Sequence, residues 1–189
     1  MNFEEDLKNC LNCLREGGII LYPTDTIWGL GCDATNSEAV EKIFKIKGRE
    51  ESKSLLILVN NESMLERYVK EVPEMAYQIL SASDKPVTII YPSCKNLAKG
   101  VAAPDGSVGI RIASDEFCSQ LISRFRKPIV STSANKSGEA SPSHFGEIAG
   151  QIISAAGYVV NHKRNDRKKR EASPVIKVEV NGEIKIIRK

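Results

Sequence analysis

The side chains best suited to chemistry in this sequence are hydroxyls and cations set at the ends of short apolar runs. Tyr22-Pro-Thr-Asp-Thr-Ile-Trp-Gly-Leu-Gly31 follows the apolar, β-branched Gly18-Ile-Ile-Leu21, which reads as a buried strand. Pro23 removes a ladder donor, so the strand stops there. Thr24, Asp25 and Thr26 then stand at its mouth, where polar groups can face a ligand. Gly29 and Gly31 let the backbone turn sharply or approach something closely. Further on, Lys47, Arg49 and Lys53 place three positive charges within seven residues. Arg111 sits among apolar neighbours in Ser107-Val-Gly-Ile-Arg-Ile112, and Ser131, Thr132, Ser133, Asn135, Ser137 and Ser141 crowd one loop.

What is missing narrows the chemistry. The two histidines, His144 and His162, lie outside these strand-end stretches, and there is no G-x-S-x-G elbow, metal-ligand cluster or P-loop lysine motif. Cations and hydroxyls without a nucleophile and base suit an anion that is held and polarised, as in phosphoryl or nucleotidyl transfer. Each feature alone also has a plainer account. The cations could be a solvated helix end, the serines a simple loop, and the first stretch a Pro/Asp/Gly turn under an aromatic ring.

The elements that must position these groups follow from spacing. A first helix is expected over 2–16, with Phe3, Leu7, Leu11 and Leu14 as its apolar stripe and Gly17-Gly18 closing it. Cys10-Leu-Asn-Cys13 has C-x-x-C spacing but lies on that helix with no second ligand pair, so a core-facing role is the better account. Thr35-Asn-Ser-Glu38 is a capping-box pattern opening a second helix through Val40, Ile43, Phe44 and Lys47. Strands are expected over 54–59, 86–91, 107–112, 128–130 and 158–160, and helices over 61–83 (split by Pro73), 114–125 and about 143–155. Asn181-Gly182 between alternating runs, 175–180 and 183–187, is a hairpin signal. Strands alternating with helices, plus a terminal hairpin, indicate an α/β fold with an open, twisted, mixed sheet.

The chain of 189 residues, 41% apolar and 27% charged with net charge +3, fits one globular domain over 1–189. Five cysteines and an acidic N-terminus with no export signal indicate the cytoplasm, and no apolar run reaches membrane-span length.

Tyr22-Pro-Thr-Asp-Thr-Ile-Trp-Gly-Leu-Gly31 resembles the opening signature of the YrdC family, whose members are threonylcarbamoyl-AMP synthases. Lys47-Gly-Arg49 and Ser133-Ala-Asn135 look like that family's K-x-R and S-x-N pairs. Lys53-Ser-Leu-Leu-Ile, Pro86-Val-Thr88, Val108-Gly-Ile-Arg-Ile112 and Pro128-Ile-Val-Ser-Thr-Ser-Ala-Asn-Lys-Ser-Gly138 fall in the family's order. The resemblance implies a sheet with a concave, positively charged face. It implies an enzyme joining L-threonine, bicarbonate and ATP, with Mg2+, into threonylcarbamoyl-AMP and pyrophosphate for the threonylcarbamoyladenosine modification of tRNA. By position, Lys47, Arg49, Ser133 and Asn135 would be catalytic, and Arg49, Lys53, Ser107, Ser133, Ser141 and Arg188 would hold ATP. Thr26, Arg111, Ser131 and Ser173 would hold threonine. RNA and a tRNA-threonylcarbamoyl transferase complex are the implied macromolecular partners.

The sequence departs from the family pattern at three places. The usual P-S-T appears as Ala172-Ser173-Pro174, the glycine common before Pro-x-Thr is Lys85, and a glycine-bearing turn is replaced by the basic run 162–170. Six cations against one acid between Lys163 and Arg170 could hold RNA phosphates. The alternative reading is therefore an RNA-binding module of the same fold with altered catalysis.

Overall fold

A computed structural model describes residues 2–48 and 55–189. Helix α1, Phe3–Arg15, carries Glu4, Glu5 and Asp6 in its first turn and Arg15 in its last, which suits the helix dipole. It buries Leu7, Cys10, Leu11 and Leu14. Cys10 and Cys13 are free thiols, both pushed up in pKa by burial, as expected of core-facing side chains. Helix α2, Ser37–Lys47, begins one residue later than the capping-box pattern suggests. Asn36 is its N-cap, accepting from Ala39 N–H at 3.1 Å, while the Thr35 hydroxyl donates to Asp33 Oδ1 at 2.6 Å. Asn is the stronger cap, and Thr35 has a nearer carboxylate to bond.

The strands are β1 Ile20–Tyr22, β2 Gly29–Gly31, β3 Leu56–Val59, β4 Thr88–Tyr91, β5 Val108–Ile112, β6 Ile129–Ser133, β7 Tyr158–Val159, β8 Val175–Val178 and β9 Ile184–Arg188. The remaining helices are α3 Glu62–Glu66, α4 Glu74–Ala82, α5 Glu116–Phe125 and α6 Gly150–Ala155. The strands form one mixed sheet in the order β7-β1-β2-β6-β3-β5-β4-β8-β9. Three pairs are parallel (β1 with β7, β3 with β5, β4 with β8) and the other five antiparallel. Among the described residues no helix is long and apolar enough to cross a membrane.

The period-two alternation of strands divides the sheet's faces. Ile57, Ile89, Ile110 and Val130 are buried in the core, as are Phe117, Leu121 and Ile122 of α5. Leu56, Thr88, Ile90, Gly109, Arg111 and Ser131 have the opposite parity and line an open cavity.

Four expectations are corrected. Of the two roles expected of Gly29 and Gly31, the sharp turn does not occur and the close approach does; they make β2, antiparallel to β1. A Cβ on Gly31 would lie 2.7 Å from the Tyr22 ring and 2.8 Å from Val130 O, so the glycine permits close packing. Strand β6 continues through Ser133, so Ser131, Thr132 and Ser133 are sheet residues held in register with Leu56 and Gly29, not loop residues. The helix expected over 143–155 is a 3-10 turn, Phe145–Glu147, followed by the short α6. The terminal hairpin turns through 179–183, with Gly182 at φ 84°, and not through a two-residue Asn-Gly loop.

Chain 160–174 runs from β7 at one side of the sheet to β8 near the other. Seven strand spacings at ~4.8 Å make about 34 Å, which the chain covers with a turn at 162–165 and then 166–174 without regular structure. They form a strap across the cavity, and Ala172 and Ser173 line it.

Candidate active site

The cavity has a volume of about 350 Å³, within the usual range for small-molecule sites. Thr26, Arg111, Ser131, Ser133, Ser141, Ser173 and Arg188 all line it. They come from the β1–β2 connection, β5, β6, the loop after β6, the strap and β9. Neighbouring sheet strands bring sequence-distant groups within a few spacings of each other. Ser131 pairs in register with Leu56, and Leu56 with Gly109.

Arg111 is at its base, with 3% of its side chain exposed. Its Nη2 lies 2.9 Å from Asp25 Oδ1, itself on a side chain 5% exposed. Nη1 donates to Ser173 Oγ at 3.2 Å and Nη2 reaches Thr24 Oγ1 at 3.5 Å. Its Nε has no hydrogen-bond partner, which leaves a donor to be satisfied. Asp25 Oδ2 is anchored by the Ser114 N–H and hydroxyl, at 3.3 and 3.1 Å. Thr24 and Thr26 form their own knot, with Thr26 N–H donating to Thr24 Oγ1 and that hydroxyl donating to Ile27 O at 2.7 Å.

A second guanidinium shares the cavity. Arg188 donates to Ser173 O through Nε and Nη2, at 3.1 and 2.7 Å. Its pKa is pulled down, first by burial and then by the charge of Arg111. Two arginines in one cavity, among hydroxyls and with no carboxylate in the described lining, make a site that suits an anion.

The buried Lys47 ammonium donates to Ser133 O at 2.6 Å and lies 3.4 Å from Ser133 Oγ, so α2 and β6 are joined at the rim. Asn135 N–H donates to the same Ser133 O at 2.9 Å. Its Nδ2 bonds Lys136 O and Glu139 O, and its Oδ1 is buried without a partner. Lys47, Ser133 and Asn135 are therefore one neighbourhood. Ser107 is not in the lining, and its hydroxyl donates to Asp105 at 2.6 Å in a local turn. Arg49 and Lys53 lie outside the described residues.

Three contributors carry no role in the sequence reading. Thr88 Oγ1 is 2.7 Å from Ser173 Oγ and fixes the strap serine over Arg111, while Thr88 N–H bonds Pro174 O at 3.0 Å. Thr88 stands in the Pro86-Val-Thr88 stretch, so its motif was visible although its contact was not. Asp25 was visible as a polar strand-end residue, but not as the partner of Arg111. The Trp28 ring lines the cavity and meets Phe145 at 4.9 Å, with Arg164 over Phe145 at 5.1 Å.

Half of the basic run's six cations are engaged, and Arg167, Lys168 and Lys169 stand exposed. Lys163 pairs with Asp115, Arg164 donates to Val159 O and Val160 O, and Arg170 pairs with Asp166.

A family model for the Sua5/YciO/YrdC domain, described as telomere recombination, matches residues 12–189. A threonylcarbamoyl-AMP synthase of Pseudoalteromonas translucida is 32% identical over 164 residues, covering 85% of this chain and 88% of that protein. The same enzyme of Psychromonas ingrahamii is 35% identical over 71% of this chain and 72% of its own length. P. abyssi Sua5, solved in complex with L-threonine, superposes on 94% of this chain with TM-score 0.82 and 26% identity. The chain spans about half of that protein, 52%. E. coli YciO, at 20% identity, shares the fold with TM-score 0.84 over the whole chain and 90% of its own. Motif order, sheet and cavity agree with a match covering nearly all of the sequence: the chain belongs to the Sua5/YciO/YrdC family.

Proposed function

We propose that this chain is a threonylcarbamoyl-AMP synthase, a nucleotidyl-transferring enzyme that condenses L-threonine, bicarbonate and ATP. The observation that carries the reading is one cavity lined by two arginines and eight serine and threonine residues drawn from separate parts of the chain. The naming of curated relatives supports it, as does the threonine complex of P. abyssi Sua5.

In this reading Arg111 takes the threonine carboxylate, with Thr26, Ser131 and Ser173 around it. Asp25 and Thr88 hold Arg111 and Ser173 in place. The amine adds to bicarbonate carbon, water is lost, and a carbamate results. A carbamate oxygen then attacks the α-phosphorus of ATP. The bond to the bridging oxygen breaks and pyrophosphate leaves. Attacker and triphosphate are both anions, so cations must lie between them. Arg188, Lys47 and, outside the described residues, Arg49 and Lys53 are the proposed cations, with Ser133 and Ser141 at the nucleotide. Asn135 belongs to the Lys47–Ser133 group. Ser107 is left out of the ATP set because its hydroxyl is held by Asp105.

Magnesium enters as the counter-ion of ATP. The described lining offers hydroxyl oxygens and no carboxylate, which suits an ion carried on phosphate oxygens. A labile carbamate would be protected by any closure that keeps water from this site. The product would feed tRNA modification, delivered to a tRNA-threonylcarbamoyl transferase complex. RNA binding as the main activity is not favoured, because the similar proteins are named as threonylcarbamoyl-AMP synthases.

The test is pyrophosphate release with ATP, magnesium and bicarbonate. Release is expected with threonine and not with glycine or serine. Absence of release, or release indifferent to threonine, would overturn the assignment.

A further inference from the structure

Gly29, Gly31 and Gly109 stand inside strands, and the protein's own packing accounts for the first two. A Cβ on Gly31 would lie 2.7 Å from the Tyr22 ring, and one on Gly29 would lie 3.2 Å from Ser131 Oγ and 3.3 Å from Thr132 O. Gly109 of β5 is different. An added Cβ there would meet Thr88 Cγ2 at 3.6 Å, Leu56 Cα at 3.9 Å and Ile90 Cγ1 at 4.0 Å, all ordinary van der Waals contacts. Its φ lies outside the left-handed region. Neither space nor backbone conformation calls for glycine. Inside a strand glycine weakens the fold, and it often marks a place where a ligand or another backbone comes close. Strand β5 is already paired on both sides, with Gly109 in register with Leu56 of β3 and Ile90 of β4, so no further backbone can pair there. What remains is the strand's face, and at Gly109 that face lines the cavity.

The missing side chain leaves a slot. Leu56 and Ile90 stand on the two neighbouring strands, about 9.6 Å apart across β5 at the usual ~4.8 Å spacing, and both line the cavity. The Thr88 methyl closes a third side, and the Thr88 hydroxyl is already bonded to Ser173. Beyond Ile90 the next residue in register is Lys177, held by Glu179 at 3.0 Å. The walls of the slot are therefore aliphatic. Arg111 is two residues further along β5, about 6.7 Å away, and the Lys47–Ser133 pair is at the rim. Anionic groups are served at those places, whereas a gap one side chain wide between aliphatic walls suits a flat aromatic ring.

We propose that Gly109 is a nucleotide-binding residue: the space left by its absent side chain, between Leu56 and Ile90, receives the purine base of ATP. The inference rests on the synthase reading of the cavity and adds to it where the base lies. Any side chain at 109 would occupy that space, so glycine here costs the strand stability and gives the ligand room.

Gly109→Ala and Gly109→Val are compared with the parent chain by thermal melts and by calorimetric titration of ATP with magnesium, inorganic tripolyphosphate and L-threonine. Tripolyphosphate carries the nucleotide's charge without its base. Gly109→Ala should raise the melting temperature by about 1–4 °C. It should weaken ATP about threefold, and Gly109→Val about tenfold. Tripolyphosphate and threonine should stay within about twofold of the parent in both variants. Parent-like ATP affinity in either variant, an equal loss for ATP and tripolyphosphate, or a loss confined to threonine would each overturn the proposal and leave the synthase reading standing. A lower melting temperature for Gly109→Ala would also overturn it, by showing that packing alone requires the glycine. Should Gly109→Val fail to fold, the alanine variant decides the matter by itself. A parent chain that binds no ATP would overturn both readings.

Discussion

Replacing Asp25 by asparagine should expose how the cavity is built. The substitution keeps the shape and removes the charge opposite Arg111, whose Nη2 lies 2.9 Å away with both side chains at or below 5% exposure. Removing one partner of a buried ion pair costs about 3–5 kcal/mol, because the other charge stays buried without compensation. Asparagine can still offer an oxygen to Arg111, and the Ser173 and Thr24 hydroxyls remain beside it. The cost should therefore be near the low end, about 3 kcal/mol. At ~2–4 °C per kcal/mol for a chain of this size, the melting temperature should fall by about 6–12 °C. Urea unfolding of Asp25→Asn, Arg111→Met and the double variant gives the coupling directly. The double variant should recover much of the loss, with a coupling of about 2 kcal/mol. A loss below ~1 kcal/mol for Asp25→Asn, or a coupling below ~0.5 kcal/mol, would show that Arg111 does not depend on Asp25.

Three further outcomes are expected. Gly31→Ala puts a methyl 2.7 Å from the Tyr22 ring and 2.8 Å from Val130 O, so chemical denaturation should show a loss of about 1–3 kcal/mol. Asp6 is buried and accepts from the Tyr158 hydroxyl at 2.7 Å, His162 N–H at 2.8 Å and Asn161 N–H at 3.0 Å. Burial alone raises its pKa, but these bonds outweigh burial and hold it below the ordinary value. A carboxyl lowered on folding stabilises above its unfolded pKa near ~4, and that stability disappears as pH falls through the folded value. Asp6→Asn should therefore destabilise at pH ~7 and converge on the parent protein in acid, as followed by thermal melts. Burial pushes the thiols of Cys10, Cys32 and Cys118 up in pKa. Iodoacetamide at neutral pH should leave these three unlabelled in native protein and label them after unfolding, as read by mass spectrometry.

The sequence by itself determined the elements whose signals are local. The stripe of Leu7, Leu11 and Leu14, Pro23 ending a strand and Asp115 opening α5 depend only on neighbours along the chain. Motif order also marked most of the cavity residues, because the groups that meet an anion must be cations and hydroxyls whatever positions them. Only the tertiary structure decided where those groups point and which are already engaged. Strand β2 is three residues long and two are glycine, so it has no propensity signal; it exists because β1 and β6 lie on either side to bond it. Ser107 was placed at the nucleotide by position alone, and the structure shows its hydroxyl donating to Asp105 two residues away. In the basic run, Lys163, Arg164 and Arg170 bond Asp115, the carbonyls of β7 and its neighbour, and Asp166, while Arg167, Lys168 and Lys169 stay exposed. The pairings of Asp25 with Arg111 and Thr88 with Ser173 join residues 86 and 85 positions apart. No local pattern specifies such contacts, because their geometry is set by the sheet's strand order and by the strap that crosses it.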